Sequence, residues 1–138
     1  MSDQVLSRDD LPVTTEGDVV TVRRRAQAVA QARGLGTFAV AAVTTAASEL
    51  ARNTLTHGRG GDASVEAVAR DGRQGVRLTF RDQGPGIADL SRALAGGFST
   101  ARSLGLGLSG SRRLVDEFDI DTTPGKGTVV TVIKWARF

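Results

Sequence analysis

At 138 residues, with 40% hydrophobic residues, 24% charged residues and 3 prolines, the chain has the size and composition of one globular domain that buries its own core. It has no cysteine and a single histidine, His57; this excludes disulfides and Cys- or His-cluster metal sites, and with no apolar run near the roughly 20 residues of a bilayer span and no signal-peptide pattern a cytoplasmic protein with no membrane partner is expected. The net charge is +3 and the positive charge is almost all arginine, clustered only at Arg23-Arg24-Arg25 and Arg112-Arg113 without interleaved aromatics, so no nucleic-acid partner is expected either.

In chain order, residues 1–9 are polar and read as a flexible tail, and residues 10–138 as a single domain. Leu11 to Thr15 suits a short first strand. Asp18 is a good N-cap, after which Val19, Val22, Ala26 and Val29 recur at three- and four-residue spacing, an amphipathic helix. Gly34 and Gly36 end it, and Thr37 can cap a second, alanine-rich helix running to about His57. The period then becomes two. Ala63, Val65, Ala67 and Ala69 alternate with Ser64, Glu66, Val68 and Arg70, Asp71-Gly72 signals a turn, and the return strand points Val76, Leu78 and Phe80 one way and Arg77, Thr79 and Arg81 the other. Leu104, Leu108, Val115 and Phe118 fit one stripe of a third helix. Asp121 to Thr123 and Thr128 to Trp135 form a closing hairpin. A sheet with one apolar face takes helices on that face alone, so the expected fold is an α/β two-layer sandwich with a mixed, mainly antiparallel sheet.

Four short patterns carry chemistry. Continuing the alternation of 76, 78 and 80 puts Asp82 on the helix-covered face, just before Gln83-Gly84-Pro85-Gly86. A carboxylate there needs a partner: it can accept from an exocyclic amine such as that of adenine, or simply cap the turn. Gly105-Leu106-Gly107-Leu108 is placed at the start of the third helix. Free amides at a helix N-terminus suit phosphates, although a glycine-rich turn also serves close packing. On the second helix Glu49, Asn53 and His57 are spaced by four and share one face. Glu49 and Asn53 offer the oxygen ligands Mg²⁺ prefers, and Glu49 can instead act as a general base toward a hydroxyl; a solvated helix face is the plain alternative. Gly125-Lys126-Gly127-Thr128, taken alone, is a hairpin turn. Neither a P-loop nor a dinucleotide fingerprint is present.

Taken in order, Glu49-Leu50-Ala51-Arg52-Asn53, Asp82-Gln83-Gly84-Pro85-Gly86, Gly105-Leu106-Gly107-Leu108 and Gly125-Lys126-Gly127-Thr128 resemble the N, G1, G2 and final glycine boxes of the GHKL (Bergerat-fold) ATPases and kinases, over about Asp18 to the C-terminus. The resemblance implies an ATP-binding domain. Asp82, assisted by Thr128, would bind the adenine amine, Asn53 would hold Mg²⁺, amides around Gly105 and Gly107 would cradle phosphates, Glu49 would be the catalytic base, and Ile87 to Leu104 would form a lid. The chain has no room for the transducer domains of larger members, and its one histidine lies inside the N-box helix. The segments Gly97-Phe98-Ser99-Thr100, Arg113-Leu114, Asp116-Glu117-Phe118 and Ile133-Lys134-Trp135 are similar to the RsbT-type switch kinases of partner-switching pathways. That type implies serine/threonine phosphorylation of STAS-domain proteins and activation of a PP2C-type phosphatase. Arg102 departs from the small residue expected in the lid. His57, where an aromatic is expected, is more like the anti-sigma-factor kinases, which leaves sequestration of a sigma factor as the alternative. A module that holds ATP without catalysis is the third; the intact Glu49 speaks against it.

Overall fold

The computed structural model describes residues 3–87 and 102–137. Eight elements follow one another: β1 (Gln4–Val13), α1 (Glu16–Ala32), α2 (Thr37–Thr56), β2 (Gly61–Arg70), β3 (Arg73–Asp82), α3 (Arg102–Leu114), β4 (Glu117–Thr123) and β5 (Gly127–Trp135). The strands form one sheet in the order β1-β2-β3-β5-β4. Every neighbouring pair is antiparallel, so the sheet lacks the parallel pair that a mixed arrangement allowed. Tight turns join β2 to β3 and β4 to β5. The first uses Asp71 and Gly72, both at positive φ (52° and 79°), as a two-residue Asp-Gly hairpin demands.

The two layers follow from the periodicities. Val19, Val22, Ala26 and Ala30 of α1, and Val43, Ala47, Leu50 and Ala51 of α2, are buried in one cluster with Val65, Val76, Leu78, Phe80, Val130 and Val132 of the sheet. Small alanines in α2 let the helix lie close to the strands. Four expectations are corrected. The polar stretch read as a tail contains most of β1, an edge strand paired with β2 from Gln4↔Ala69 to Val13↔Gly61. It buries only Val13 fully and exposes most of its side chains, so apolar alternation could not reveal it; backbone pairing holds it. The cap of α1 is Thr15 rather than Asp18. Thr15 accepts from the Asp18 N–H while Asp18 reaches back to the Thr15 N–H, a reciprocal capping box. Helix α2 is capped by Gly36 rather than Thr37. Finally, α3 ends at Leu114, and Phe118 belongs to β4, opposite Val132. Its apolar side chain faces the same core from a strand, a case in which helix and strand periods coincide over one residue.

The sheet face away from the helices carries a small apolar cluster of Val68, Ile133 and Trp135 among charged side chains. Glu66, 4% exposed, receives a two-pronged ion pair from Arg77 (2.9 and 3.2 Å). Arg70 binds Asp3 and Glu117 and lies 4.8 Å above the Trp135 ring, whose indole N–H donates to Glu117 at 2.7 Å. Arg70 first, and Trp135 second, hold the Glu117 carboxyl below the usual carboxylate range. A depressed folded-state pKa contributes stability that is present above the unfolded pKa and lost as pH falls through the folded one. Glu117→Gln is therefore expected to be less stable than wild type at pH 7 and to lose less stability on acidification. Urea unfolding at pH 7 and near pH 3 checks this, and equal pH slopes for the two proteins would count against it.

Candidate functional site

One cavity opens where the C-terminal turns of α2 meet the ends of β3 and β5. It is lined by Leu50, Asn53, Thr54, His57, Gly58, Phe80, Asp82, Gly86, Ile87, Leu108, Thr128 and Val130. Its floor is apolar: Phe80, Val130 and Leu108 are buried. Its polar atoms converge from three elements, the arrangement expected of a small-molecule site.

Asp82 ends β3 in register with Thr128 of β5. Its Oδ1 accepts from the Gly84 N–H at 2.9 Å. Burial pushes its carboxyl up, against the opposing effect of the Gly84 and Thr128 backbone N–H groups. The second oxygen lies beside Gly58: a methyl group at 58 would overlap the carboxylate and stand 2.6 Å from the Asp82 Cβ. Gly84 is packed as closely, since a Cβ there would lie 2.7 Å from the Gly58 carbonyl oxygen. The two glycines thus let the strand end and the helix end touch with the carboxylate between them. Gly58→Ala is expected to cost about 1–3 kcal/mol of stability by overpacking and to weaken nucleotide binding with it. Thermal melts with and without ATP test this; unchanged melting in both would contradict the role given to Gly58.

Asn53 projects into the same cavity from α2. Its side-chain Nδ2 is buried without a hydrogen-bond partner. A 180° turn of the amide exchanges Nδ2 for Oδ1, and an amide oxygen is a ligand Mg²⁺ accepts. A buried unpaired amide is costly unless something binds it, so the residue fits a metal or phosphate-bearing ligand. Among the described residues no group of three or more His, Cys, Asp or Glu could hold a metal. Glu49 is exposed and is not part of the cavity wall. It lies one helical turn before Asn53, about 6 Å along the axis on the same side of α2.

On the far side, Thr128 lines the cavity while Gly127, at φ 110°, is pressed against the end of β3, where a Cβ would lie 2.8 Å from the Gln83 Cα. Gly86, also at positive φ (72°), completes the turn after Asp82. Thr122, not singled out by any motif, ties these turns together. Its hydroxyl accepts from the Ile87 N–H at 3.0 Å and lies 2.9 Å from the Thr128 hydroxyl. Only its position opposite Thr128 in the closing hairpin signals this role. The glycine pair of α3 differs from expectation. The helix begins at Arg102, so Gly105 falls at the end of the first turn and Leu106 and Gly107 one residue or more deeper. Packing of α3 against α2 sustains helix through glycines that propensity alone would leave at its start. Leu108 is buried in the cavity wall. The expected lid, Ile87 to Leu104, lies mostly outside the described residues.

Residues 11–134 match the histidine kinase-like ATPase domain, and the chain belongs to that family, as its antiparallel sheet with helices on one face and its converging cavity accord. It is therefore an ATP-binding protein. Within the family it is similar over nearly its full length to the serine/threonine-protein kinase RsbT of Bacillus subtilis (strain 168), with 42% identity over 137 residues, 99% of this chain and 100% of that protein. Such a match places the chain in the protein serine/threonine kinase class. It is also similar to the anti-sigma F factors of Thermoanaerobacter sp. (strain X514), 29% identical over 70% of both chains, and of Geobacillus stearothermophilus, 32% identical over 67% of this chain and 66% of that one. A chain in the crystal structure of the SiaB-SiaC complex from Pseudomonas aeruginosa shares the fold, with TM-score 0.57 and 14% identity over 95% of this chain and 90% of that one. Among the described residues no helix is long and apolar enough to cross a membrane.

Proposed function

We propose that the protein transfers the γ-phosphate of ATP to a serine or threonine of STAS-domain proteins and, when released from them, activates a PP2C-type phosphatase in a cytoplasmic partner-switching pathway. The observation that carries the kinase site is the cavity joining the unpaired amide of Asn53 to the half-buried carboxylate of Asp82. Asp82 accepts a hydrogen bond from the adenine amine, with Thr128 beside it. Asn53 faces the phosphate end and holds Mg²⁺ through its amide oxygen. When bound, Mg²⁺ neutralises phosphate charge and aligns the triphosphate. The free amides of the first turn of α3, just before Gly105, contribute to the phosphate end, Leu108 lines the cavity, and Gly84, Gly86 and Gly127 allow the close backbone approach. Glu49, one turn outside the cavity, takes the proton of the substrate hydroxyl as its oxygen bonds to the γ-phosphorus and the bond to ADP breaks. Positioning and electrostatics supply most of the acceleration.

The test is transfer of label from γ-labelled ATP to purified STAS-domain proteins, followed by assay of a PP2C-type phosphatase with the kinase added. Labelled STAS protein and a stimulated phosphatase are expected; absence of label on every STAS protein would refute the substrate assignment. A second reading is favoured by the similarity to anti-sigma F factors and by His57 in the cavity wall: the protein holds a sigma factor and phosphorylates its antagonist. Recovery of a stoichiometric sigma-factor complex would establish that reading in place of the first.

A further inference from the structure

A second concave surface lies at the opposite end of α2. Phe38 and Asn53 are fifteen positions apart on one helix, which separates the two sites by roughly 22 Å. The groove encloses about 800 Å³ between the first turn of α2, the end of α3 and the C-terminal residues. Its walls carry four cationic side chains, Arg73, Arg113, Lys134 and Arg137, against one carboxylate, Asp116. That carboxylate is already engaged by the Trp135 N–H at 2.7 Å and by Lys134 at 3.3 Å. Among the described residues no ion pair forms at Arg113 or Arg137, and both are exposed. On the far face of the sheet, by contrast, Arg70, Arg77 and Arg81 each meet a carboxylate.

The groove also has apolar parts. Leu114, Trp135 and Ala136 contribute to its wall, and Phe38 stands at its lip, 92% exposed. No other large hydrophobic residue among those described approaches that exposure, the next being Val5 at 45%. Nothing in the fold requires an aromatic there, since Phe38 takes no part in the core. Exposed aromatics beside unneutralised arginines are the pairing found at the energetic centres of protein interfaces.

We propose that this groove is a docking surface for an acidic protein segment that carries an apolar side chain. The segment's carboxylates would meet Arg113 and Arg137, and its apolar residue would cover Phe38 and Leu114. Charge complementarity selects this occupant. A single-stranded nucleic acid would want successive aromatic platforms, and among the described residues the groove presents one exposed ring. Because α3 runs from the nucleotide cavity at Leu108 to the groove at Arg113, the same helix borders both sites. The proposal stands independently of which substrate the kinase site serves.

The experiment titrates the full chain with fluorescein-labelled peptides of fourteen residues: one of Glu with two Leu and one Phe, one with Gln in place of Glu, and one with Ala in place of Leu and Phe. A dT oligonucleotide and sedimentation of the protein alone complete the set. The Glu/Leu/Phe peptide is expected to bind saturably and most tightly. The double variant R113E/R137E should weaken it at least about tenfold and Phe38→Ala several-fold, with ATP affinity unchanged in both. Amide NMR shifts should concentrate at residues 34–42, 113–116 and 134–137. Absence of saturable binding, indifference to R113E/R137E, equal binding of the Gln peptide or the oligonucleotide, or self-association abolished by Phe38→Ala would each overturn the proposal.

Discussion

Glu49→Ala is expected to bind ATP as tightly as wild type and to transfer phosphate roughly 10²–10⁴-fold more slowly, the range a positioned general base contributes. The separation of the two effects follows from geometry. Glu49 lies outside the cavity wall, so its removal strips nothing from the nucleotide's surroundings. It is exposed on the side of α2 from which a protein substrate would approach Asn53. Glu49→Gln, which keeps the shape but not the basicity, should be as slow. Single-turnover transfer alongside equilibrium ATP binding measures both quantities. Normal turnover in Glu49→Ala would remove the base from the mechanism, and lost ATP binding would move Glu49 into the pocket.

Asp82→Asn is expected to weaken ATP binding by roughly ten- to a hundredfold, the loss of one charge-assisted hydrogen bond in a desolvated site, and to narrow the preference for ATP over GTP. An amide can donate to the guanine carbonyl where a carboxylate repels it. Stability should move the other way. Burial raises the Asp82 carboxyl, and a carboxyl raised in the folded state costs stability at neutral pH, a cost relieved as pH falls through the folded value. The neutral amide lacks that cost, so the variant should unfold no more easily than wild type at pH 7. In wild type, the ionised form is the acceptor, so ATP affinity should decline on acidification at a pH above that of an ordinary aspartate, about 3.9. Calorimetric titration with ATP and GTP across pH checks these points. Undiminished ATP affinity in Asp82→Asn would remove the aspartate from adenine recognition.

Much of the architecture was legible because its elements bury one face each. The alternation of Val76, Leu78 and Phe80 showed the sheet's helix-covered side and carried Asp82 to it, and the spacing of Glu49 and Asn53 put them on one side of α2. What escaped were features with no apolar period. Strand β1 is an edge strand held by backbone hydrogen bonds and by ion pairs such as Arg25 with Asp9, so its side chains look like those of a tail. The cap at Thr15 and the acid at Asp18 are interchangeable in a linear pattern until the reciprocal hydrogen bonds are seen. Gly58 follows a helix as countless glycines do. Only the carboxylate of Asp82, 24 positions away in sequence, shows why a side chain cannot fit there. Thr122 is likewise a strand threonine until its hydroxyl is found between Ile87 and Thr128. Long-range contacts of this kind have no local signature.

A crystal structure of the protein soaked with Mg²⁺ and a non-hydrolysable ATP analogue tests the pocket most directly. The adenine amine should lie within hydrogen-bond distance of the Asp82 carboxylate, with the metal on the Asn53 side-chain oxygen and the terminal phosphate toward Glu49. Nucleotide bound elsewhere, or bound in this cavity with the base turned away from Asp82, would contradict the account.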